Sequence, residues 1–182
     1  TSRMRHADFL ILAKDYKSLE AEANAMKQLD GVNPRINRYL GYSAYENGNI
    51  DGALKALTDY TSNPNHKIIA KDYAYLAQAK IKKAITEDGK VTDAAALTDA
   101  MTTVKKAIEM DPLIANDLNE LGKKLYEQKA FGAAAAVFEA AVSVPTSKNY
   151  LIDNFYLGNA IYYDNSGKDA DKTFYGQSTH VL

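Results

Sequence analysis

Apolar and small residues recur along this chain in one repeated phrase. Leu40-Gly41-Tyr42-Ser43-Ala44-Tyr45, Leu121-Gly122-Lys123-Lys124-Leu125-Tyr126 and Leu157-Gly158-Asn159-Ala160-Ile161-Tyr162 each read Leu-Gly-x-x-apolar-Tyr. An alanine follows twelve residues beyond each glycine, at Ala53, Ala134 and Ala170. Self-similarity at a fixed spacing is the mark of stacked repeats, each too small to bury its own apolar face. The pattern predicts helix pairs. One pair covers 34–47 and 50–61, with a turn at Gly48-Asn49 and a stop before Pro64. Another follows Asp111-Pro112, read as an N-cap and a first-turn proline, with helices to about 128 and over 131–143. A fainter pair at the start uses Phe9, Leu10 and Ala13, then Leu19, Ala21, Ala25 and Leu29. A last pair starts near Ser147, turns at Asn165-Ser166-Gly167 and opens a second helix at Lys168.

The third pair is irregular. Tyr75-Leu76-Ala77 replaces Leu-Gly, and Val104, Ala107 and Pro112 keep their mutual spacing further on. Between the halves lie eleven extra residues around Glu87-Asp88-Gly89-Lys90-Val91-Thr92-Asp93. The expected accommodation lengthens both helices by about a turn and a half, turns at Asp88-Gly89 and caps the second helix with Thr92 or Asp93. Its tip is then expected to project beyond the regular edge as a second contact site.

Gly41, Gly122 and Gly158 fall in helix interiors, where glycine costs about 1 kcal/mol against alanine. Close approach of the second helix explains the repetition, with Ala53, Ala134 and Ala170 as the expected counterparts. Ala133 to Ala136 read as tight core packing between Phe131 and Phe138.

With these positions in place, the chain resembles the tetratricopeptide repeat family. Leu118, Leu121, Gly122, Leu125, Ala134, Phe138, Ala141 and Pro145 carry the fullest match. Leu40, Gly41, Ala44, Ala53, Leu57 and Pro64 form a second, and Leu157, Gly158, Ile161, Ala170 and Phe174 a third. The resemblance implies an all-α fold, a right-handed α-solenoid or superhelix of about five antiparallel helix-turn-helix units. The units expected are 1–32, 33–66, 67–112 with extended helices, 113–146 and an incomplete 147–182.

Composition narrows the function. The net charge is −1 and the pI about 6.3, which disfavours nucleic acid. The apolar run from Phe9 to Ala13 ends at Lys14-Asp15 and is no signal peptide, and no stretch is long enough to span a membrane. The chain has no Cys, which excludes disulfides, thiolate metal sites and cysteine nucleophiles. Absent Cys and frequent Tyr and Asn lean toward a bacterial extracytoplasmic location. His6, His66 and His180 are scattered, without a nucleophile, phosphate-loop or zinc motif. The Asn47-Gly48-Asn49-Ile50-Asp51-Gly52 run starts like a calcium loop, but Thr58 stands where the bidentate Glu belongs. No metal, cofactor or catalytic residue is expected, so the chain is not read as an enzyme.

In relatives of this family the first helix of each unit lines the inner, concave surface. The resemblance therefore implies a partner-binding row of Arg35, Arg38, Tyr42, Tyr45, Lys71, Gln78, Lys82, Asn116, Asn119, Lys123, Tyr126, Asn159 and Tyr162. Tyrosines offer flat apolar area and amides can hold an extended backbone, so a peptide suits the row. Tyr45, Tyr126 and Tyr162 have a competing role, packing between neighbouring first helices. A carboxylate clamp known in the family is not expected, because Tyr42 replaces its Asn and Tyr75 one of its bases. The function implied is a protein–protein interaction scaffold. The alternative is a helical docking domain of a larger envelope complex, or a regulatory arm of an enzyme. Self-association through the last unit, which has no polar capping helix behind it, is a further expectation.

Overall fold

The computed structural model describes residues 2–29 and 31–176, and side chains through Gly167. Helices follow in the order α1 (Ser2–Leu12), α2 (Tyr16–Leu29), α3 (Arg35–Glu46), α4 (Ile50–Thr61), α5 (Ala70–Ala84), α6 (Ala94–Met110), α7 (Ile114–Glu127), α8 (Phe131–Val142) and α9 (Tyr150–Gly176). Among the described residues the only strand-like feature is an isolated antiparallel bridge, Ile85 with Val91. The chain divides into two compact units, Thr1–Lys83 with Thr98–Asp111, and Ala84–Leu97 with Pro112–Leu182.

Within the first unit α1 packs on α2, α2 on α3 and α3 on α4. Its core gathers Ala7, Leu10, Leu19, Ile36, Tyr39 and Leu57. Within the second, α7 packs on α8 and α8 on α9. The turns inside the helix pairs share one device. Lys14, Gly48 and Lys129 all adopt positive φ, at 56°, 87° and 59°. Each stands seven residues after the small residue of its first helix, Ala7, Gly41 or Gly122. One left-handed residue ends the helix and reverses the chain, and two of the three turns accept the strain of placing a lysine there. Asn49 then caps α4 by accepting the Gly52 N–H at 2.9 Å.

Gly41 and Gly122 each receive a large side chain, not the alanine expected. A Cβ on Gly41 would clash with Leu57 Cγ, and one on Gly122 would lie 2.7 Å from the Phe138 ring. Leu57 and Phe138 stand sixteen residues beyond their glycines. Ala53 and Ala134 are fully buried one turn earlier, lining the contact rather than making it. At Gly158 the same position is open among the described residues, none of which has an atom within 4 Å of an added Cβ. There α9 does not turn at Asn165-Ser166-Gly167 but runs on to Gly176. Ala170 and Phe174 lie outside the residues whose side chains are described, and His180 outside the described residues.

Three further expectations are corrected. α7 begins after Leu113 with no side-chain cap, so Asp111 is not its N-cap. The third pair lengthens α6 as expected, to 17 residues against 12 for α4 and α8, but α5 only to 15 against 12 and 14 for α3 and α7, and residues 85–93 form a tight hairpin. Thr86 and Lys90 close it, Gly89 turns at φ 84°, and Asp93 caps α6 by accepting the Ala96 N–H at 2.9 Å. Its tip does not project: Gly89 is buried, and a Cβ there would lie 2.7 Å from that of Ala130.

The glycine contacts make opposite predictions at equivalent positions. Phe138 is fully buried and stacks on Tyr156 at 5.2 Å, so its ring has nowhere to retreat. Gly122→Ala should therefore lose about 1–2 kcal/mol in a urea melt, overpacking outweighing helix propensity. Gly158→Ala should gain up to about 1 kcal/mol, because only propensity acts there. Equal effects at the two sites would refute the packing described.

Candidate partner-binding faces

The row expected to meet a partner divides into buried and accessible members. In the first unit Asp72 is fully buried at the start of α5, where it accepts the Ile69 N–H at 2.8 Å. Arg38 on α3 donates to it from Nε at 2.8 Å and Nη2 at 2.9 Å, and Tyr42 donates its hydroxyl at 2.7 Å. The Arg38 fork also reaches the Lys67 carbonyl at 2.7 Å, and its plane lies over the Tyr60 ring at 5.1 Å. Burial and the Asp72 charge push the Tyr42 hydroxyl far above its ordinary pKa. Arg38 and Tyr42 are thus interior groups, not a binding surface. A guanidinium at this spacing neutralises the carboxylate that starts the next repeat.

Tyr75 is likewise buried in the first unit. Its ring stacks on Tyr42 at 4.2 Å and its hydroxyl donates to Glu46 at 2.8 Å. Tyr45 meets it edge-on at 5.6 Å, and burial pushes the Tyr45 hydroxyl up to about 12. This tyrosine therefore packs between first helices. Arg35 is tied to Asp8 at 3.0 Å. Lys71 is exposed, its ammonium 5.8 Å from the Tyr42 ring centroid and 5.9 Å from that of Tyr75. Gln78 is partly buried and Lys82 exposed, both on α5.

The second unit repeats the arrangement with weaker chemistry. Asn119 on α7 is buried and donates to Asp153 on α9 at 2.6 Å. Both pairs, Arg38 with Asp72 and Asn119 with Asp153, are separated by 34 residues. Asp153 is fully buried, and its second oxygen, Oδ2, has no hydrogen-bond partner. Burial raises its carboxyl pKa, against the pull of the Asn119 amide and the Lys123 charge. Asn119 is therefore a buried joint rather than a peptide contact. The two aspartates were missed in the sequence, although each stands one repeat after a polar residue of the expected row.

What stays accessible follows one register. Asn116, Lys123 and Tyr126 on α7, and Ile152, Phe155, Asn159 and Tyr162 on α9, are all partly or fully exposed. Asn116 accepts a long bond from the Ser147 hydroxyl at 3.4 Å. Tyr126 sits edge-on to Phe131 at 5.2 Å and Tyr156 at 5.3 Å, which fixes its ring. Among the described residues Tyr162 meets only the Tyr163 ring and is 66% exposed.

No protein-family model matches the chain, and no curated protein matches it. Among solved structures, the C-terminal part of a TPR repeat-containing protein from Cytophaga hutchinsonii superposes with a TM-score of 0.60 at 24% identity. The match covers 93% of this chain and 61% of that one. The chain has a tetratricopeptide-repeat fold. It spans less than two thirds of that neighbour's length. Among the described residues of this repeat array, no helix is long and apolar enough to cross a membrane.

Two predictions follow from the paired aspartates of the repeats. Arg38→Met leaves a buried carboxylate without its cation and should cost about 3–5 kcal/mol in a urea melt, whereas Lys123→Met should change stability by less than about 0.5 kcal/mol. Similar small losses for both would contradict the buried pair. Asp153 carries the opposite sign of a typical salt-bridged carboxylate. A folded pKa raised above the unfolded one gives stability that is present at low pH and lost as pH rises through the folded value. Asp153→Asn should therefore gain on the parent as pH rises above the ordinary carboxylate range, and an offset independent of pH would contradict the assignment.

Proposed function

We propose that the chain is a non-catalytic scaffold whose first-helix row holds an extended segment of another protein. One observation carries this reading: the register 116, 123, 126 on α7 and 152, 155, 159, 162 on α9 stays partly or fully exposed, whereas Arg38, Tyr42 and Asn119 of the expected row are buried. The row combines exposed rings at Phe155 and Tyr162, amides at Asn116 and Asn159, and one ammonium at Lys123. Aromatic anchors supply area at small entropic cost, and amides pair with a peptide's unpaired N–H and C=O groups. Lys123 favours an acidic residue on the bound segment. Lys71 and Lys82 belong to the proposed row in the first unit, Gln78 beside them. Arg38, Tyr42 and Asn119 do not, since exposing them would strand buried aspartates. The tetratricopeptide fold of the neighbour supports protein binding as the general role of the array.

A photo-crosslinking amino acid at Asn159 tests the row, with the same group at exposed Glu139 on α8 as control. In native lysate Asn159 should give a discrete adduct that Lys123→Glu diminishes, and Glu139 should give none. Adducts of equal yield at both positions, or one at Asn159 indifferent to Lys123→Glu, would overturn the reading.

A further inference from the structure

The two units place a buried aspartate at the same point of the repeat and surround it with unequal chemistry. Positions 81 residues apart correspond: Arg38 with Asn119, Tyr42 with Lys123 and Asp72 with Asp153. Asp72 receives four hydrogen bonds, two from the Arg38 fork, one from the Tyr42 hydroxyl and one from the Ile69 N–H. Among the described residues Asp153 receives one, from the Asn119 amide, and its Oδ2 has none. The Tyr150 N–H, counterpart of that of Ile69, donates to the Ser147 carbonyl instead. A fully buried carboxylate oxygen of this kind calls for a partner.

Volume is lost together with charge. In the first unit the Arg38 plane lies over the Tyr60 ring at 5.1 Å, and Tyr60 stacks on His66 at 4.9 Å. At the corresponding places of the second unit stand Asn119, Ala141 and Ser147. Three large side chains are thus replaced by small ones around one carboxylate. What the second unit lacks, against the first, has the size, charge and donor geometry of a guanidinium.

The pair lies beneath the accessible row. Asn119 shares a face of α7 with Asn116, one turn before it, and Lys123, one turn after, and both of these are partly exposed. Asp153 follows the exposed Ile152 in the first turn of α9. Lys123 is near enough for its charge to act on Asp153, and its flexible stem lets it swing outward.

We infer that the Asn119–Asp153 pair is a receptor for an arginine side chain of the bound segment, whose guanidinium takes the place that Arg38 fills in the first unit. This rests on the row proposed above as the partner's seat, and sets an arginine beside the acidic residue that Lys123 favours. A planar fork donates to both carboxylate oxygens at once, whereas an ammonium offers a point charge. Binding converts an undersatisfied aspartate into one as fully partnered as Asp72.

The probe is N-acetyl-arginine methylamide, added at neutral pH to the full 182-residue chain with isotope-labelled aspartate and asparagine. The control is the citrulline analogue, which has nearly the same outline and no charge. By nuclear magnetic resonance the arginine compound should move the Asp153 carboxyl carbon and the Asn119 side-chain amide saturably, with a Kd in the millimolar range of an isolated side chain. The citrulline compound should move neither. In Asp153→Asn the Asn119 response should weaken at least about tenfold. Equal responses to the two compounds, a response that survives Asp153→Asn, or no response up to the solubility of the probe overturns the proposal. Arginine that binds Lys123→Met but not the parent chain makes Lys123 the resident cation and overturns it too. The probe needs no partner protein, so its failure leaves the cross-link at Asn159 to judge the row separately.

Discussion

The fold depends on one steric fit repeated along the chain. A residue without bulk on the first helix of a pair lets a large apolar side chain from the second press against its backbone. Leu57 does so over Gly41 and Phe138 over Gly122, with Ala7 and Ala77 as fully buried small counterparts elsewhere. Close approach brings the two helices together along their length, and the left-handed residue seven positions on makes the reversal that permits it. The helix penalty of glycine is offset only where the partner side chain arrives. Among the described residues Gly158 has no such partner, and Ile161 on that face is exposed.

A second interaction joins one repeat to the next. An aspartate in the first turn of a helix is buried against a polar group 34 residues earlier, Asp72 with Arg38 and Asp153 with Asn119. The two joints differ in chemistry. Asp72 is saturated by a guanidinium fork, a tyrosine hydroxyl and a backbone N–H, whereas Asp153 has one amide and an unpartnered oxygen. The same carboxylate position therefore ties two helices firmly in one unit and leaves a titratable weakness in the other. Saturation also explains why Arg38 and Tyr42 are buried in the first unit rather than exposed along its row.

The helices were legible because their signals are local. The Leu-Gly phrase, the turn residues and the prolines placed α3, α4 and α8 within a residue or two of where they lie. Which atoms meet was less legible. The glycine's partner is sixteen residues on rather than twelve, because the helix-B residue facing it is set by rotation between two helices, which spacing alone does not encode. Arg38, Tyr42 and Asn119 were placed on the binding row by position within the unit. Burial by the next repeat's aspartate decides otherwise, and that is a tertiary fact. The hairpin at 85–93 escaped for a related reason: Gly89, at positive φ, is buried against Ala130, 41 residues later, which leaves no room for a Cβ.

The steric fit can be tested in isolation by a double-mutant cycle at Gly41 and Leu57. The account predicts that Gly41→Ala destabilises the native chain, yet is neutral or stabilising once Leu57→Ala has emptied the space, leaving a coupling of at least about 1 kcal/mol. An effect of Gly41→Ala that is the same in both backgrounds would contradict it.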